Sequence, residues 1–223
     1  MRTSSQYVNP VFIGHGSPMN AILDNSYSRF LSSYAQKIEK PKVIVVISAH
    51  WQTKGTYITG NQSPEQIYDF YGFPEELYRV KYAPHGAKAV AEMIAQEVDG
   101  ITIDADRGID HAGWAVVKHM YPDADVPLLE LSLDVLKSNQ QHFSLGSRLG
   151  ALANSGILFI GSGNMVHNLR AISCKISSRC LQNLGEKIFK KLFSRGHSVN
   201  AFVRLDPVVV VDEPSQFVLS VSA

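Results

Sequence analysis

Only two cysteines occur in the 223 residues, Cys174 and Cys180, with five residues between them. That spacing fits no zinc or dithiol motif and is too sparse for a disulfide scaffold, so two reduced thiols in a cytoplasmic chain are expected. No run approaches the roughly 18–20 apolar residues of a membrane span. The opening Met1-Arg2-Thr3-Ser4-Ser5-Gln6 lacks the apolar stretch of a secretory signal. Charge of one sign is lacking too: the net charge is +1 with histidine neutral. This excludes the basic footprint of a nucleic-acid or anionic-membrane binder and leaves a small molecule as the expected partner. There is no G-x-S-x-G elbow, no H-E-x-x-H, no P-loop and no dinucleotide fingerprint. Paired glycosidase-type carboxylates cannot be picked out either.

What remains is globular, with 45% apolar and 18% charged residues. No linker, repeat or low-complexity stretch interrupts it, and one domain over 1–223 is expected. Short β-branched runs predict strands at 11–14, 43–49, 56–59, 101–103, 126–133, 157–161, 208–211 and 217–221. Several show no polar alternation, as strands covered on both faces do. Between them, apolar residues at three- and four-residue spacing predict helices over 26–40, 86–98, 114–120, 140–154 and 181–193. Strands alternating with helices imply an α/β fold: a central, mostly parallel or mixed sheet with helices on both faces.

Three histidines follow buried-strand patterns. His15 comes after Val11-Phe12-Ile13-Gly14, His50 after the apolar run ending Ser48-Ala49, and His167 in the turn beyond Ile157-Leu158-Phe159-Ile160-Gly161. Ligands gather at the carboxyl ends of strands in open α/β sheets, and imidazoles delivered to one edge are the makings of a metal site. Each histidine alone reads equally well as a turn or strand-end residue. His111, in Asp110-His111-Ala112-Gly113-Trp114, has two readings: an imidazole oriented by its neighbour, or an incidental residue behind an Asp helix cap. His85, His119, His142 and His197 are expected at the surface.

Taken in order, Gly14-His15-Gly16-Ser17-Pro18-Met19-Asn20, Ser48-Ala49-His50-Trp51, Asp69-Phe70-Tyr71-Gly72-Phe73-Pro74, Asp110-His111 with Trp114, Met120-Tyr121-Pro122-Asp123-Ala124-Asp125-Val126-Pro127, and Gly161-Ser162-Gly163-Asn164 with His167-Asn168-Leu169 form a pattern. It resembles the class III extradiol ring-cleavage dioxygenases (the LigB-like superfamily), in the branch similar to DOPA 4,5-dioxygenase. The resemblance runs over about 11–172. It implies a non-haem metal at the strand ends, Fe(II) for activity and zinc in some isolated forms. His15 and His50 are implied as metal ligands, His167 as catalytic base or additional ligand, and His111 as a substrate contact. Trp51 and Phe73 are available to flank the substrate ring. The implied reaction opens a DOPA-like catechol with O₂; an oligomer is compatible with it.

Two departures stand out. Gly usually follows the His111 position directly, where this chain has Ala112-Gly113. The family's further ligand, a Glu or His within a Pro-Thr-x-Glu-His-x-x-Pro-Leu-like segment, has no counterpart after Leu169, and 217–221 resembles the closing strand. Asp212, Glu213 and His197 are the candidates to complete the site. A non-catalytic zinc- or catechol-binding protein is the alternative, and a zinc hydrolase using the same histidines is a third reading.

Overall fold

The computed structural model describes residues 8–163 and 208–210. Seven strands form one mixed sheet: β1 (Val11–Gly14), β2 (Val43–Thr53), β3 (Thr56–Thr59), β4 (Ile101–Asp104), β5 (Leu128–Asp134), β6 (Ile157–Gly163) and β7 (Val208–Val210), in the spatial order β4-β3-β5-β2-β6-β1-β7. The four strands β5, β2, β6 and β1 run parallel, so their carboxyl ends share one edge. β3 runs against β5 and β7 against β1.

The apolar strands supply side chains to both faces because successive residues point opposite ways. Ile44 and Val46 join one core with Val11, Ile13, Leu158 and Ile160, under helices α1 (Ser26–Lys37) and α4 (His111–Met120). Val43, Val45 and Ile47 join the other with Leu129, Leu131 and Phe159, under α3 (Lys88–Glu97) and α5 (Asn139–Ala151). A short α2 (Glu75–Tyr78) lies in the connection between β3 and α3. The α/β architecture with helices on both faces is thus the one expected. Capping boxes begin two helices: Asn25 with Ser28 for α1, and Ser138 with Gln141 for α5. Among the described residues, no helix is long and apolar enough to cross a membrane.

Differences from the sequence expectation have local causes. α4 starts at His111 rather than Trp114, because Asp110 accepts the Ala112 N–H and caps the helix there. α1 stops at Lys37, three residues short of the expected end, with Ile38 already extended. β6 runs through Gly163, where a turn was expected, since Ser162 and Gly163 stay paired with Ile13 and Gly14 of β1. β2 continues to Thr53, past His50, with an irregular step against β5 between Ile47 and Gln52. His142 is a core residue, not a surface one: it is buried, and its Nε2 lies 3.1 Å from the Asp134 carbonyl. His85 is exposed as expected, and His119 is half-buried on the Asn20 carbonyl. The helix expected at 181–193 and the strand at 217–221 lie outside the described residues.

Candidate metal centre

Three local devices bring three histidines to the shared strand edge. His15 follows β1, and its N–H donates to the Gly163 carbonyl at 2.9 Å. Gly16 then turns the chain at φ +66°, where a Cβ would come within 2.7 Å of the Asn20 amide nitrogen. That amide donates back to the His15 carbonyl, so glycine is required at this position. His50 lies in the irregular step of β2, its N–H donating to Ser48 Oγ at 3.1 Å. Such an irregularity re-aims a side chain at the end of a ladder. His111 is the first residue of α4.

The α4 N-terminus is held by three carboxyl groups. Asp110 accepts the Ala112 N–H at 2.9 Å, buried Glu130 accepts the Asp110 N–H at 3.0 Å, and Asp69 accepts the His111 N–H at 3.0 Å. Orphan donors at a helix start are satisfied in this way, and negative charge there is favoured by the helix dipole. Gly113 allows the approach: a Cβ would lie 2.5 Å from Glu130 Oε1 and 2.8 Å from Ile109 Cγ2. The Ala112-Gly113 order therefore keeps glycine where the helix meets Glu130.

The rings converge. Donor atoms of His15, His50 and His111 lie within 4.8 Å of one another, and the centroids of His50 and His111 are 4.3 Å apart. The Nε2 atoms of His15 and His50 face each other at 3.1 Å. Their far sides show which nitrogen carries a proton. His15 Nδ1 lies 3.1 Å from Ser162 Oγ, whose hydroxyl donates to the Ala112 carbonyl at 2.7 Å. A hydroxyl has one proton, so Ser162 accepts from His15 Nδ1–H. His111 Nδ1 lies 2.9 and 2.8 Å from the two oxygens of Asp69, and His50 Nδ1 lies 3.5 Å from the second. A carboxylate only accepts, which places the His111 proton on Nδ1 and its lone pair on Nε2, while His50 Nδ1 stands at ion-pair distance from the same carboxylate. Two Nε2 atoms facing at 3.1 Å are held either by an N–H···N hydrogen bond between the rings or by a cation that both nitrogens ligate. The donor set therefore fits a divalent metal held by imidazole Nε2, with hydroxyl and carboxylate groups behind the rings.

Charge is graded behind the rings. Burial pushes the Asp69 carboxyl up, but the hydrogen bonds and charge of His111, with a smaller contribution from His50, outweigh it and hold Asp69 down at about 2. Burial and the neighbouring Asp69 raise Asp110, against Ser48, His111 and Arg107. Burial and the Asp110 charge raise Glu130 well above the carboxylate range. Arg107 donates to Asp110 at 3.0 Å and lies 5.1 Å from the centre of the Trp51 ring. The front carboxyl is thus pushed toward its charged form and the rear one toward its neutral form.

Of the residues singled out in the sequence, His15, His50 and His111 are brought together: Asp110 is the helix cap, as one reading had it, but His111 is not incidental, and its ring is oriented by Asp69 rather than by the adjacent Asp110. Trp51 is buried beneath Arg107, and Phe73 stacks edge-on to Phe70, which meets His111 edge-on at 5.6 Å. His167, His197, Asp212 and Glu213 lie outside the described residues. Asp69 and Ser162 stand in quoted motifs but carried no role in the sequence reading. Glu130 was missed altogether, although an acid inside the apolar run 126–133 is a signal in itself.

The family model described as the catalytic LigB subunit of aromatic ring-opening dioxygenase matches residues 9–207. The 4,5-DOPA dioxygenase extradiol of Escherichia coli (strain K12) is 42% identical over 172 residues, 76% of this chain and 64% of that protein. The Beta vulgaris protein of the same name is 41% identical, over 70% of this chain and 61% of its own length. The crystal structure of an uncharacterized protein from Escherichia coli K12 superposes with a TM-score of 0.62 at 37% identity, covering 75% of this chain and 64% of that one. The chain thus spans less than two thirds of the length of these relatives. With a family match over most of its residues and the histidine cluster at the strand edge, the chain belongs to the LigB family of aromatic ring-opening dioxygenases.

Proposed function

We propose that this protein is a metal-dependent extradiol dioxygenase that opens the ring of a DOPA-like catechol with O₂. The observation that carries the reading is the convergence of three imidazole donors on one point, with His15 and His50 face to face through Nε2. The printed names of the relatives give the chemical class. In this reading His15 and His50 hold the metal, Fe(II) in the active form and zinc in some preparations. Bound iron supplies the one chemistry side chains lack, electron transfer from a bound diol to O₂. His111, its Nδ1–H held by Asp69, presents Nε2 to a phenolic O–H. His167 is the base for a phenolic proton, since an imidazole titrates near neutral pH. Both atoms of O₂ enter the product, and the ring bond beside the diol breaks. One domain over 1–223 carries the reaction, in the cytoplasm.

The test is anaerobic loading with ferrous iron, then DOPA and O₂. A yellow ring-opened product with one O₂ consumed per catechol is expected. No product from chain shown to hold iron would overturn the reading. A second reading, a zinc- or catechol-binding member without turnover, is favoured by the all-imidazole donor set, which suits zinc as well as iron. Catechol binding without O₂ uptake by the iron-loaded chain would select it.

A further inference from the structure

The first residue of the segment Asp69-Phe70-Tyr71-Gly72-Phe73-Pro74 holds His111 in the reading above, yet it also faces a second of the three histidines, His50. We infer that Asp69 is a positioning residue: one carboxylate that fixes the proton on Nδ1 of both His50 and His111 and so aims the His50 Nε2 lone pair at the metal and the His111 Nε2 lone pair at the substrate oxygen beside it. The inference rests on the metal reading of the site. Its geometry is three-sided. Asp69 Oδ1 accepts the His111 backbone N–H at 3.0 Å, both oxygens lie within 2.9 Å of His111 Nδ1, and Oδ2 faces His50 Nδ1 at 3.5 Å, an ion-pair distance.

The chain is built to hold that carboxylate in place. Ile67 N–H donates to the Ile109 carbonyl and Ile109 N–H to the Glu65 carbonyl, both at 2.8 Å, tying residues 65–67 to the segment that leads into α4. Fully buried Trp114, one turn into α4, donates its indole N–H to the Ile67 carbonyl at 2.9 Å. Tyr68 packs on Trp114, and its hydroxyl donates to the Val80 carbonyl at 2.6 Å. Asp69 and His111 are thus fixed to the same frame, 42 residues apart in sequence.

A carboxylate is the group the arrangement needs. Its two oxygens accept from both N–H groups of His111 and still present negative charge to His50 Nδ1 at 3.5 Å. The amide of asparagine has the same shape but one oxygen and one NH₂. The NH₂ turned toward either ring donates to Nδ1 and drives that ring's proton to Nε2, where the metal needs a lone pair from His50 and the substrate hydroxyl needs one from His111. Groups behind metal-binding imidazoles act in this way and typically change metal affinity 10–100-fold.

The experiment is D69N in the full chain, with two readouts. Long-range ¹H–¹⁵N spectra of the histidine rings, in chelator-treated protein, read the tautomers without metal: Nδ1–H for His50 and His111 in wild type, and Nε2–H in at least one of them in D69N. Cobalt(II) titration followed by its visible bands reads affinity, expected to fall about 10–100-fold in D69N with an altered spectrum. Identical tautomers in the two proteins, or unchanged cobalt affinity, would overturn the inference. Should D69N fail to fold, the wild-type spectrum still decides, since Nε2–H at His50 and His111 contradicts it. Failure of the wild-type chain to bind cobalt would instead overturn the metal reading, with the tautomers deciding Asp69 on their own.

Discussion

Replacing Glu130 with glutamine measures how the acid behind the histidine cluster is held. Glu130 lies in the middle of β5 with no exposure. Its Oε1 accepts the Asp110 N–H, while Oε2 is buried without a hydrogen-bond partner among the described residues. Burial, then the charge of Asp110, raises its pKa well above the ordinary value, with the Asp110 N–H and Arg107 only partly opposing. A carboxyl with a raised pKa in the fold takes up a proton on folding. Its contribution to stability is full below the unfolded-state value and falls as pH rises toward the folded-state value, by about 1.4 kcal/mol per pH unit. Glutamine keeps the oxygen for Asp110 N–H and does not titrate. Its NH₂ buries N–H groups without partners, at a cost of about 1–3 kcal/mol. E130Q is therefore expected to be less stable than wild type near pH 5 and to gain on it steadily, the difference moving by about 3 kcal/mol over about two pH units. Urea denaturation of both proteins in chelator, at a series of pH values with unchanged m, reads this directly. A constant offset between the two curves would refute the reasoning, because it would mean that Glu130 is ionised in the fold.

Three further outcomes follow from the same structure. Gly113→Ala places a methyl 2.5 Å from Glu130 Oε1 and 2.8 Å from Ile109; a loss of about 1–3 kcal/mol by denaturation, with weaker catechol binding through a shifted His111, is expected. His142 is buried with Nδ1 unpartnered among the described residues and Nε2 on the Asp134 carbonyl. Burial lowers its pKa, so wild type should lose stability as pH falls below about 6.5, by up to about 1.4 kcal/mol per unit, and denaturation of H142Q should lack that slope. A metal bound at His15 and His50 stabilises the fold by mass action, about 2.7 kcal/mol at one hundred times its dissociation constant; chelation should lower the melting temperature of wild type and leave that of H50A unchanged in a thermal scan.

The sheet was legible because its signals are local. Runs such as 43–49 and 157–161 are apolar throughout, and only a strand covered on both faces uses such a run at that length. The element ends were less legible because pairing decides them: Ser162 and Gly163 read as a turn until β1 is placed beside them. His142 looked like a helix-surface residue because its own stripe does not include it; burial comes from the Asp134 carbonyl at the end of β5. Asp110 could be read as a cap or as the partner of His111, and both roles exist, divided between Asp110 and Asp69.

The sequence by itself determined the α/β class, the strand-end placement of His15 and His50, and the family. Each depends on residues close together in the chain and on hydrophobic periodicity. Tertiary structure alone decided what stands behind each imidazole. Ser162 reaches His15 across 147 residues, Asp69 reaches His111 across 42, and Glu130 lies 20 residues from the Asp110 N–H it accepts. Hydrogen bonds are short and directional, so these partners exist only once parallel strands and the start of α4 meet at one edge. The sequence displayed the histidines; the fold set what stands behind each of their rings.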